Sequence, residues 1–261
     1  MREIDLLEPD LVSKGLNTRY IGSKIIVFKS TSSTNTVAAE YARNKDNNGL
    51  AVFAEEQTKG RGRAINKWLS GQSDSLLVSI VLTSCTLKPE LISLVCAVAA
   101  AGAVGEEAQI KWPNDIIICG KKAGGILLES KNYKNHSAYI IGIGINCHQQ
   151  KRDFPSEIRK TATSLDIETG SFTDRTNLAK RLLTSLEHWL EMAAKNTKKV
   201  IDKWQQLSIQ LHHRVSLIHN RRKFSGTCIG IDPEKGLIVQ LDSGSVRFFD
   251  AAHTTIEKIS L

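Results

Sequence analysis

Two strand-like segments of the chain carry glycines in their interiors, and this feature restricts the fold more than any other. Gly124 and Gly125 lie inside the run A-G-G-I-L-L-E-S. Gly142 and Gly144 alternate along one face of the next run, Tyr139–Asn146. Glycine weakens a strand, so an interior glycine often marks the close approach of a ligand or of another backbone. The bare face therefore predicts either a flat ligand or a tightly packed helix above it.

The hydrophobic pattern around these glycines predicts an α+β fold. Apolar residues recur at helical spacing through Glu90–Glu107, which predicts a core helix. Pro113 indicates a strand end or corner, because a central strand does not accommodate proline. Further predicted strands are Lys24–Lys29, Leu50–Ala54, Ser75–Leu82 and Ile116–Cys119, and further predicted helices are residues 5–15, Thr173–Ala194 and Thr197–Leu207. We expect a mixed sheet flanked by helices.

After Leu211 the hydrophobic pattern changes from helical spacing to alternation. Runs such as V-S-L-I-H and G-L-I-V-Q-L are separated by the turn signals D-P-E-K-G and D-S-G. This arrangement is typical of short antiparallel strands. We therefore predict two domains, residues 1–211 and residues 212–261, and the second is expected to be a small β-barrel.

The composition argues against several classes of protein. The longest apolar run, Leu94–Val104, has 11 residues, whereas a membrane span needs ~20. The N-terminal sequence M-R-E-I-D-L-L-E has early acids and no long apolar core, so we expect no signal peptide. The five cysteines include no C-x-x-C pair, which predicts reduced thiols, no zinc site and a cytoplasmic protein.

The positive charge is unevenly distributed. The formal net charge is +8, and residues 195–224 hold eight Lys and Arg against one Asp. Such an excess is typical of a solvated basic face, and it is also compatible with a nucleic-acid-binding surface. The sequence leaves these two alternatives open.

A glycine-rich basic stretch, Glu55–Trp68, follows the predicted strand Leu50–Ala54 and reads E-E-Q-T-K-G-R-G-R-A-I-N-K-W. Its cations before the alanine are Lys59, Arg61 and Arg63. We expect Gly60 and Gly62 to take positive φ and to bring the backbone close to a ligand. Arginine forks and free backbone N–H groups bind phosphate oxygens, so the stretch predicts a flexible loop for a phosphate or an acyl phosphate. A solvated surface turn is the alternative.

The segment Ser30–Asn35, S-T-S-S-T-N, precedes an alanine-rich run and predicts the N-terminus of a helix. Capping of that helix is the simplest role for its hydroxyl groups. A helix N-terminus with spare hydroxyl and amide groups also binds a polar ligand head.

Five motifs follow one another along the chain. They are S-T-N at Ser33–Asn35, G-R-G-R at Gly60–Arg63, K-W-P-N-D at Lys111–Asp115, K-K-A-G-G-I-L at Lys121–Leu127 and I-G-I-G-I-N at Ile141–Asn146. In these motifs and in their order the chain resembles the biotin protein ligases, over about its whole length. It resembles the short form of these enzymes, which lacks the N-terminal DNA-binding domain.

The resemblance implies a class II synthetase-like catalytic domain followed by an SH3-like β-barrel. It also implies an ATP- and Mg²⁺-dependent ligase that converts biotin to biotinyl-5'-AMP, releases pyrophosphate, and transfers biotin to a lysine of a biotin carboxyl carrier protein. Such a site has to align anions and neutralise charge, so it needs no enzyme nucleophile. Homodimer formation is compatible with the resemblance, and we expect neither DNA nor membrane binding.

The resemblance assigns residues to each substrate. Biotin is expected to contact Ser33, Thr34, Asn35, Gln57, Gly60, Arg61, Gly62, Arg63, Lys122, Gly124 and Gly125. ATP is expected to contact Arg61, Arg63, Trp68, Lys111, Asn114, Asp115, Lys122 and Asn146. The expected catalytic residues are Lys122, Arg63 and Asp115, and Asp115 is also the expected magnesium ligand. Lys121 is expected in a hairpin turn, and Trp68 is expected either to close on the adenine or to lie in the core.

The chain departs from the family pattern in its basic stretch. The family usually continues with a glycine and an arginine where this chain has Ile65 and Asn66. The sequence therefore does not predict whether this chain keeps the family's hinge after Arg63 and one of its phosphate contacts. A lipoate or octanoate ligase or transferase of related fold is the alternative enzyme. A DNA-binding regulator is the alternative from another class.

Overall fold

The computed structural model describes residues 5–64 and 66–260. Its helices are α1 (Pro9–Ser13), α2 (Thr34–Tyr41), α3 (Pro89–Val104), α4 (Leu165–Thr169), α5 (Arg175–Lys195) and α6 (Thr197–Leu207), with 3₁₀ turns at Lys45–Asn47 and Lys151–Asp153. Its first strands are β1 (Ile25–Phe28), β2 (Ala51–Ala54), β3 (Ser75–Leu82), β4 (Gln109–Lys111), β5 (Asp115–Ile118), β6 (Lys121–Asn132) and β7 (Ser137–Asn146). The later strands are β8 (Arg214–His219), β9 (Arg222–Asp232), β10 (Gly236–Leu241), β11 (Val246–Phe249) and β12 (Thr254–Ser260). Ile65, one of the two departures from the family pattern, lies outside the described residues.

Strands β1 to β7 form one mixed sheet in the order β1-β2-β3-β7-β6-β5-β4. β1 and β2 are parallel, and the other neighbours are antiparallel. The predicted α+β class, with a mixed sheet flanked by helices, is confirmed. The pairing of β6 with β7 places Gly125 opposite Gly144, so two of the interior glycines meet at the middle of the sheet.

Helix α3 lies in the centre of the core and contacts the sheet, α5 and α6. Its buried side chains include Ile92, Val95 and a run of alanines, and these small side chains allow close helix packing. The helix ends at Val104, before the predicted Glu107, because Gly105 takes a φ of 140° that other residues rarely adopt.

Helix α2 begins at Thr34, within the segment whose hydroxyl groups were expected to cap a helix, and Ser33 occupies the N-cap position. The side chain of Ser33 makes no capping hydrogen bond. Thr34 and Asn35 are buried, and their side chains bond to strand β3 and to the segment after β2. This end of the helix is therefore joined to the sheet through polar contacts.

Strands β8 to β12 form a second, antiparallel sheet in the order β11-β10-β9-β8-β12, which confirms the strands predicted from alternation. A small SH3-like β-barrel was predicted here, and within the described residues its end strands β11 and β12 do not pair with each other. Its buried residues Leu217, Leu237 and Phe249 belong to the same core cluster as Trp204 of α6. The division into domains 1–211 and 212–261 stays a prediction.

The basic segment 195–224 spans α6 and the hairpin of β8 and β9. Lys198 and Lys199 are exposed on the helix, and Arg221 and Arg222 are exposed at the hairpin tip. The choice between a solvated face and a nucleic-acid surface stays open. Among the residues that the structure describes, no helix combines the length and the hydrophobicity that a membrane crossing requires.

A buried arginine joins three parts of the chain. Arg175, at the start of α5, is fully buried and forms ion pairs with Asp5 (Nε to Oδ1, 2.6 Å) and Glu55 (Nη1 to Oε2, 2.9 Å). It also donates to the carbonyl oxygen of Ser75 (3.1 Å). Glu55 accepts a further hydrogen bond from the backbone N–H of Leu7 (2.7 Å). The network ties the N-terminal segment to β3 and to the start of the basic stretch.

We expect Arg175→Met to lower the free energy of unfolding by about 3–5 kcal/mol, because it leaves the carboxylate of Glu55 buried without its partner. Urea unfolding followed by circular dichroism measures this change. The control is Arg214→Met, which breaks an exposed ion pair with Asp242 and should leave the urea midpoint almost unchanged. Equal shifts in the two variants would show that the buried network does not stabilise the fold.

Candidate active site

A cleft of about 220 Å³ opens between the first sheet and the edge of the second. Its walls include the start of α2, residues 61–64 and 66–68, the corner between β4 and β5, and the three residues Thr254–Ile256 of β12. The site residues predicted from the sequence that line it are Ser33, Thr34, Asn35, Gln57, Arg61, Gly62, Arg63, Trp68, Lys111, Asn114, Asp115, Lys122 and Gly125. The fold thus brings most of the predicted residues, from four separate segments of the chain, into one cavity.

One end of the cleft is polar and neutral. Gln57 Oε1 accepts hydrogen bonds from the backbone N–H of Thr34 (2.7 Å) and from its hydroxyl (3.0 Å). Ser79 Oγ lies 2.7 Å from Thr34 Oγ1 and 2.5 Å from Asn35 Oδ1. These side chains therefore form one hydrogen-bonded chain beneath the polar end, and Ser79 at its centre was not predicted from the sequence.

The basic stretch folds back on itself as a hairpin. Trp68 N–H donates to the carbonyl of Gly60 (3.1 Å), and Gly62 N–H donates to that of Asn66 (2.8 Å). The prediction that Gly60 and Gly62 take positive φ is wrong, since Ala64 holds the positive φ (56°). A Cβ on Gly60 would lie 2.5 Å from the carbonyl oxygen of Trp68. Glycine is required there by the close approach of the hairpin's own backbone.

The indole of Trp68 lies flat on the bare backbone of the central strands. A Cβ on Gly144 would come within 2.6 Å of the indole ring, and one on Gly125 within 3.2 Å. A Cβ on Gly142 would lie 2.2 Å from Asn35 Oδ1. Trp68 is therefore a wall of the cleft and does not lie in the core. Among the described residues its Nε1 is buried and has no hydrogen-bond partner.

The other end of the cleft is charged. Lys122 Nζ lies 2.6 Å from Asp115 Oδ1, and the two residues come from the paired strands β6 and β5. Lys121 forms its ion pair with Glu168 (3.0 Å) instead, because neighbouring residues in a strand point to opposite faces. Only the second of the two lysines reaches the cleft.

The two arginines of the hairpin diverge. Arg61 donates to Thr36 Oγ1 (2.9 Å) and pairs with Glu129 Oε2 (2.9 Å). Arg63 donates to the backbone carbonyls of Ala251 and Thr254 in the second sheet. Burial lowers the pKa of the Arg63 guanidinium, while the charges of Asp115 and Asp250 act in the opposite direction. The hairpin is thus attached to α2 and β6 on one side and to the second sheet on the other.

Three predicted residues lie outside the walls of this cleft. Gly60 lies at the base of the hairpin, and a Cβ on Gly124 would point at Ile116 and at the carbonyl of Gly144. Asn146 is buried, and its Nδ2 donates to the carbonyl of Thr163 (2.9 Å). The structure separates these residues from the cavity, and their assigned ligand contacts stay predictions.

Within the part of the chain that the structure describes, the cleft offers the carboxylate oxygens of one residue, Asp115, as ligands for Mg²⁺. Among the described residues no group of three or more His, Cys, Asp or Glu side chains is placed to hold a metal ion. Mg²⁺ in nucleotide sites binds one or two carboxylates, with phosphates and water completing the shell. Asp115, with Asn114 beside it in the cleft, fits that use as the single carboxylate.

Sequence reasoning missed several residues of this region. Ser79 is a fully buried hydroxyl with apolar neighbours on both sides in β3, and that polarity was the signal available. Glu129 and Thr36 hold Arg61, but both are ordinary polar residues in the sequence. Thr254 lines the cleft from the second sheet, and no local pattern indicates this.

The comparisons with known proteins agree with this geometry. Residues 27–146 match the model of the Biotin/lipoate A/B protein ligase family. The chain is 32% identical over 245 residues to the bifunctional ligase/repressor BirA of Bacillus subtilis, covering 91% of this chain and 75% of that protein. It is 30% identical over 204 residues to the biotin–[acetyl-CoA-carboxylase] ligase of Mycobacterium tuberculosis, covering 72% of this chain and 73% of that protein.

A solved structure shares the fold over most of the chain. The biotin protein ligase from Aquifex aeolicus in complex with biotin and ATP superimposes with a TM-score of 0.76 at 27% identity. The match covers 90% of this chain and 99% of that one. Shared motifs, sequence identity and fold lead to the same conclusion: the chain belongs to the biotin/lipoate A/B protein ligase family and, within it, to the biotin protein ligases.

Proposed function

We propose that the protein activates biotin with ATP to biotinyl-5'-AMP and transfers the biotinyl group to a lysine of a biotin carboxyl carrier protein. The observation that carries this is a single cleft with a neutral hydrogen-bonding end and a charged end, Lys122 and Asp115. Biotin has the matching shape, with a neutral ureido ring at one end and a carboxylate at the other. The relative from Aquifex aeolicus binds both biotin and ATP.

In the first half-reaction a carboxylate oxygen of biotin attacks the α-phosphorus of ATP, and pyrophosphate leaves with the bonding electron pair. Negative charge increases on the phosphoryl oxygens in the transition state, so a fixed cation beside them lowers the barrier. Lys122 supplies that cation, and Asp115 holds its ammonium group in place at 2.6 Å. Mg²⁺ bound at Asp115 together with the phosphates supplies further charge neutralisation.

The ureido ring lies at the polar end, where its N–H groups and carbonyl meet Thr34, Asn35 and Gln57. The acyl chain follows the bare backbone at Gly125 and Gly144 towards Lys122. The indole of Trp68 lies on the same strip of backbone, and the adenine is the partner proposed for it.

In the second half-reaction the neutral amine of the carrier lysine attacks the acyl carbon, and AMP leaves. The nitrogen loses a proton as the amide forms. Asp115 is the carboxylate in the cleft closest to Lys122, and we assign it the role of accepting that proton. The hairpin arginines, Arg61 and Arg63, retain the acyl phosphate until the carrier arrives. The protein is proposed to act in the cytoplasm, with a homodimer as its proposed assembly.

The test of this function is exchange of labelled pyrophosphate into ATP in the presence of biotin, lipoate or octanoate. We expect exchange with biotin and no exchange with lipoate or octanoate, because only biotin matches the hydrogen-bonding end of the cleft. Mass spectrometry of a carrier domain after incubation should show one added biotinyl group. Exchange with lipoate or octanoate instead would favour the related lipoate or octanoate enzymes and contradict the proposal.

Lys122→Gln should slow biotin-dependent exchange by roughly 10²–10³, because the variant removes the fixed cation at the reacting phosphate. Lys121→Gln is the matched control, since its ion pair with Glu168 lies outside the cleft. Steady-state exchange rates at saturating biotin measure both variants. Similar losses in the two variants would show that the catalytic lysine is misassigned.

Gly142→Ala should raise the dissociation constant of biotin by about tenfold or more, because the new Cβ displaces the amide of Asn35 and breaks a buried hydrogen bond. Gly230→Ala is the control, since a Cβ there meets only ordinary contacts at 3.6 and 3.8 Å, away from the cleft. Isothermal titration calorimetry measures both. Unchanged affinity in Gly142→Ala would place the ureido ring elsewhere.

A further inference from the structure

A carboxylate on β6 joins the hairpin to the polar end of the cleft. Glu129 Oε2 accepts hydrogen bonds from Asn35 Nδ2 (2.7 Å) and from Arg61 Nη2 (2.9 Å). Its other oxygen lies 3.6 Å from Lys131 Nζ. The two donors on Oε2 come from separate elements, the first turn of α2 and the basic hairpin. Glu129 itself does not line the cleft, so it acts on a ligand only through these partners.

Glu129 is the nearer of two acceptors that orient the amide of Asn35, since the carbonyl oxygen of Leu127 lies 3.4 Å from the same Nδ2. An ionised carboxylate only accepts hydrogen bonds, so the NH₂ group of Asn35 has to face it. The amide oxygen then faces Ser79 Oγ at 2.5 Å. Burial raises the pKa of Glu129, but the hydrogen bond from Asn35 and the charge of Arg61 outweigh it and hold the pKa below its usual value. The group is thus charged at neutral pH.

This orientation continues along the hydrogen-bonded chain. Asn35 Oδ1 only accepts, so the hydroxyl hydrogen of Ser79 points at it. The hydroxyl hydrogen of Thr34 then serves either Ser79 Oγ (2.7 Å) or Gln57 Oε1 (3.0 Å). Gln57 Oε1 already accepts from the backbone N–H of Thr34 (2.7 Å), so with the Thr34 hydroxyl on Ser79 each oxygen in this chain that accepts has a donor. Asn35 Oδ1 has a second lone pair and Asn35 lines the cleft, so this oxygen is able to accept an N–H group of a ligand.

Glu129 also holds the hairpin in place. Arg61 forms one bond to its carboxylate and one to Thr36 on α2. The hairpin covers the polar end through this attachment. Because the same oxygen binds Asn35, loss of the carboxylate affects both the cover of the pocket and the orientation of the amide inside it.

We propose that Glu129 is a positioning residue for ligand selection, which holds the hairpin through Arg61 and sets the polar end to accept N–H groups through Asn35. This inference rests on the proposed activation of biotin, whose ureido ring carries two N–H donors. It assigns Glu129 no contact with the reacting atoms. Its removal should therefore weaken ligand binding and leave the chemical step nearly intact.

Glu129→Gln should raise the dissociation constant of biotin by roughly 10–100-fold, as expected for loss of charge-assisted hydrogen bonds. The KM for biotin in pyrophosphate exchange should rise in parallel, while kcat at saturating biotin changes less than about threefold. A neutral amide in place of the carboxylate either donates to or accepts from Asn35, so only the longer contact with the Leu127 carbonyl (3.4 Å) still favours the original orientation of that side chain. If the unaltered protein shows biotin-dependent exchange and Glu129→Gln binds biotin with unchanged affinity, the inference is overturned. A fall in kcat without a change in KM would also overturn it.

A matched control comes from α2, the helix that carries Asn35. Glu40→Gln breaks the exposed ion pair of Glu40 with Arg43 (2.8 Å) and should leave both the affinity for biotin and the urea midpoint unchanged. Glu129→Gln should share the unchanged urea midpoint. A large drop in that midpoint, together with a loss of affinity, would assign Glu129 a role in folding and overturn the inference.

A double-mutant cycle tests the route through the hairpin. Arg61→Gln and Glu129→Gln are combined, and the affinity of each variant for biotin is measured. Because the two side chains share one bond, the double variant should lose clearly less affinity than the product of the two single losses. If the loss of affinity in the double variant equals the product of the two single losses, Glu129 does not act on biotin binding through Arg61, and that part of the inference is overturned. Absence of biotin-dependent exchange in the unaltered protein is a different result, and it would reject the proposed function itself.

Discussion

The antiparallel pairing of β6 with β7 is the constraint on which the site depends. Its register sets Gly125 opposite Gly144, so a strip of the sheet has no side chains on the face towards the cleft. Asn35 and Trp68 lie directly on this strip. A methyl group at Gly142 or Gly144 would overlap one of them. The shape of the cleft therefore follows from hydrogen-bond register in the sheet more than from any one side chain that lines it.

The two ends of the strip differ in their physical chemistry. At one end, uncharged groups form directional hydrogen bonds in a buried setting, where an unsatisfied polar atom is costly. At the other end, Lys122 and Asp115 form a partly exposed ion pair that suits anions and a developing charge. Neutral recognition and charge stabilisation are thus kept apart along one cavity. An arrangement of this kind distinguishes the head of a ligand from its reactive tail.

The hairpin connects the cleft with the rest of the molecule. Arg61 attaches it to the first sheet and Arg63 attaches it to the second. Both arginines were predicted from the sequence to bind phosphate oxygens, and the structure shows that each is also bonded to other parts of the protein. Their guanidinium groups have several donors, so they are able to keep some of these bonds while binding an anion. The second sheet is therefore part of the cleft wall.

Much of the site was predictable because its residues occur in local motifs. The S-T-N, G-R-G-R, K-W-P-N-D and K-K-A-G-G-I-L segments each keep their polar groups within a few residues, and most of these residues line the cleft. The positive φ expected at Gly60 was wrong, because the close approach of Trp68 in the folded hairpin explains that glycine. Glu129 and Ser79 were not predicted, since a lone polar residue in a strand carries no local signal of its partners.

The sequence by itself indicated the family, most of the strands and helices, and Lys122 as the catalytic lysine. Only the tertiary structure showed that Lys121 lies in β6, where it was expected in a hairpin turn, and that its side chain is held by Glu168 away from the cleft. It also decided that Asn35, Ser79 and Glu129 share one hydrogen-bonded chain, and that the second sheet closes the cleft. These contacts join residues far apart in the chain, and their geometry is set by sheet register and helix packing that local patterns do not encode.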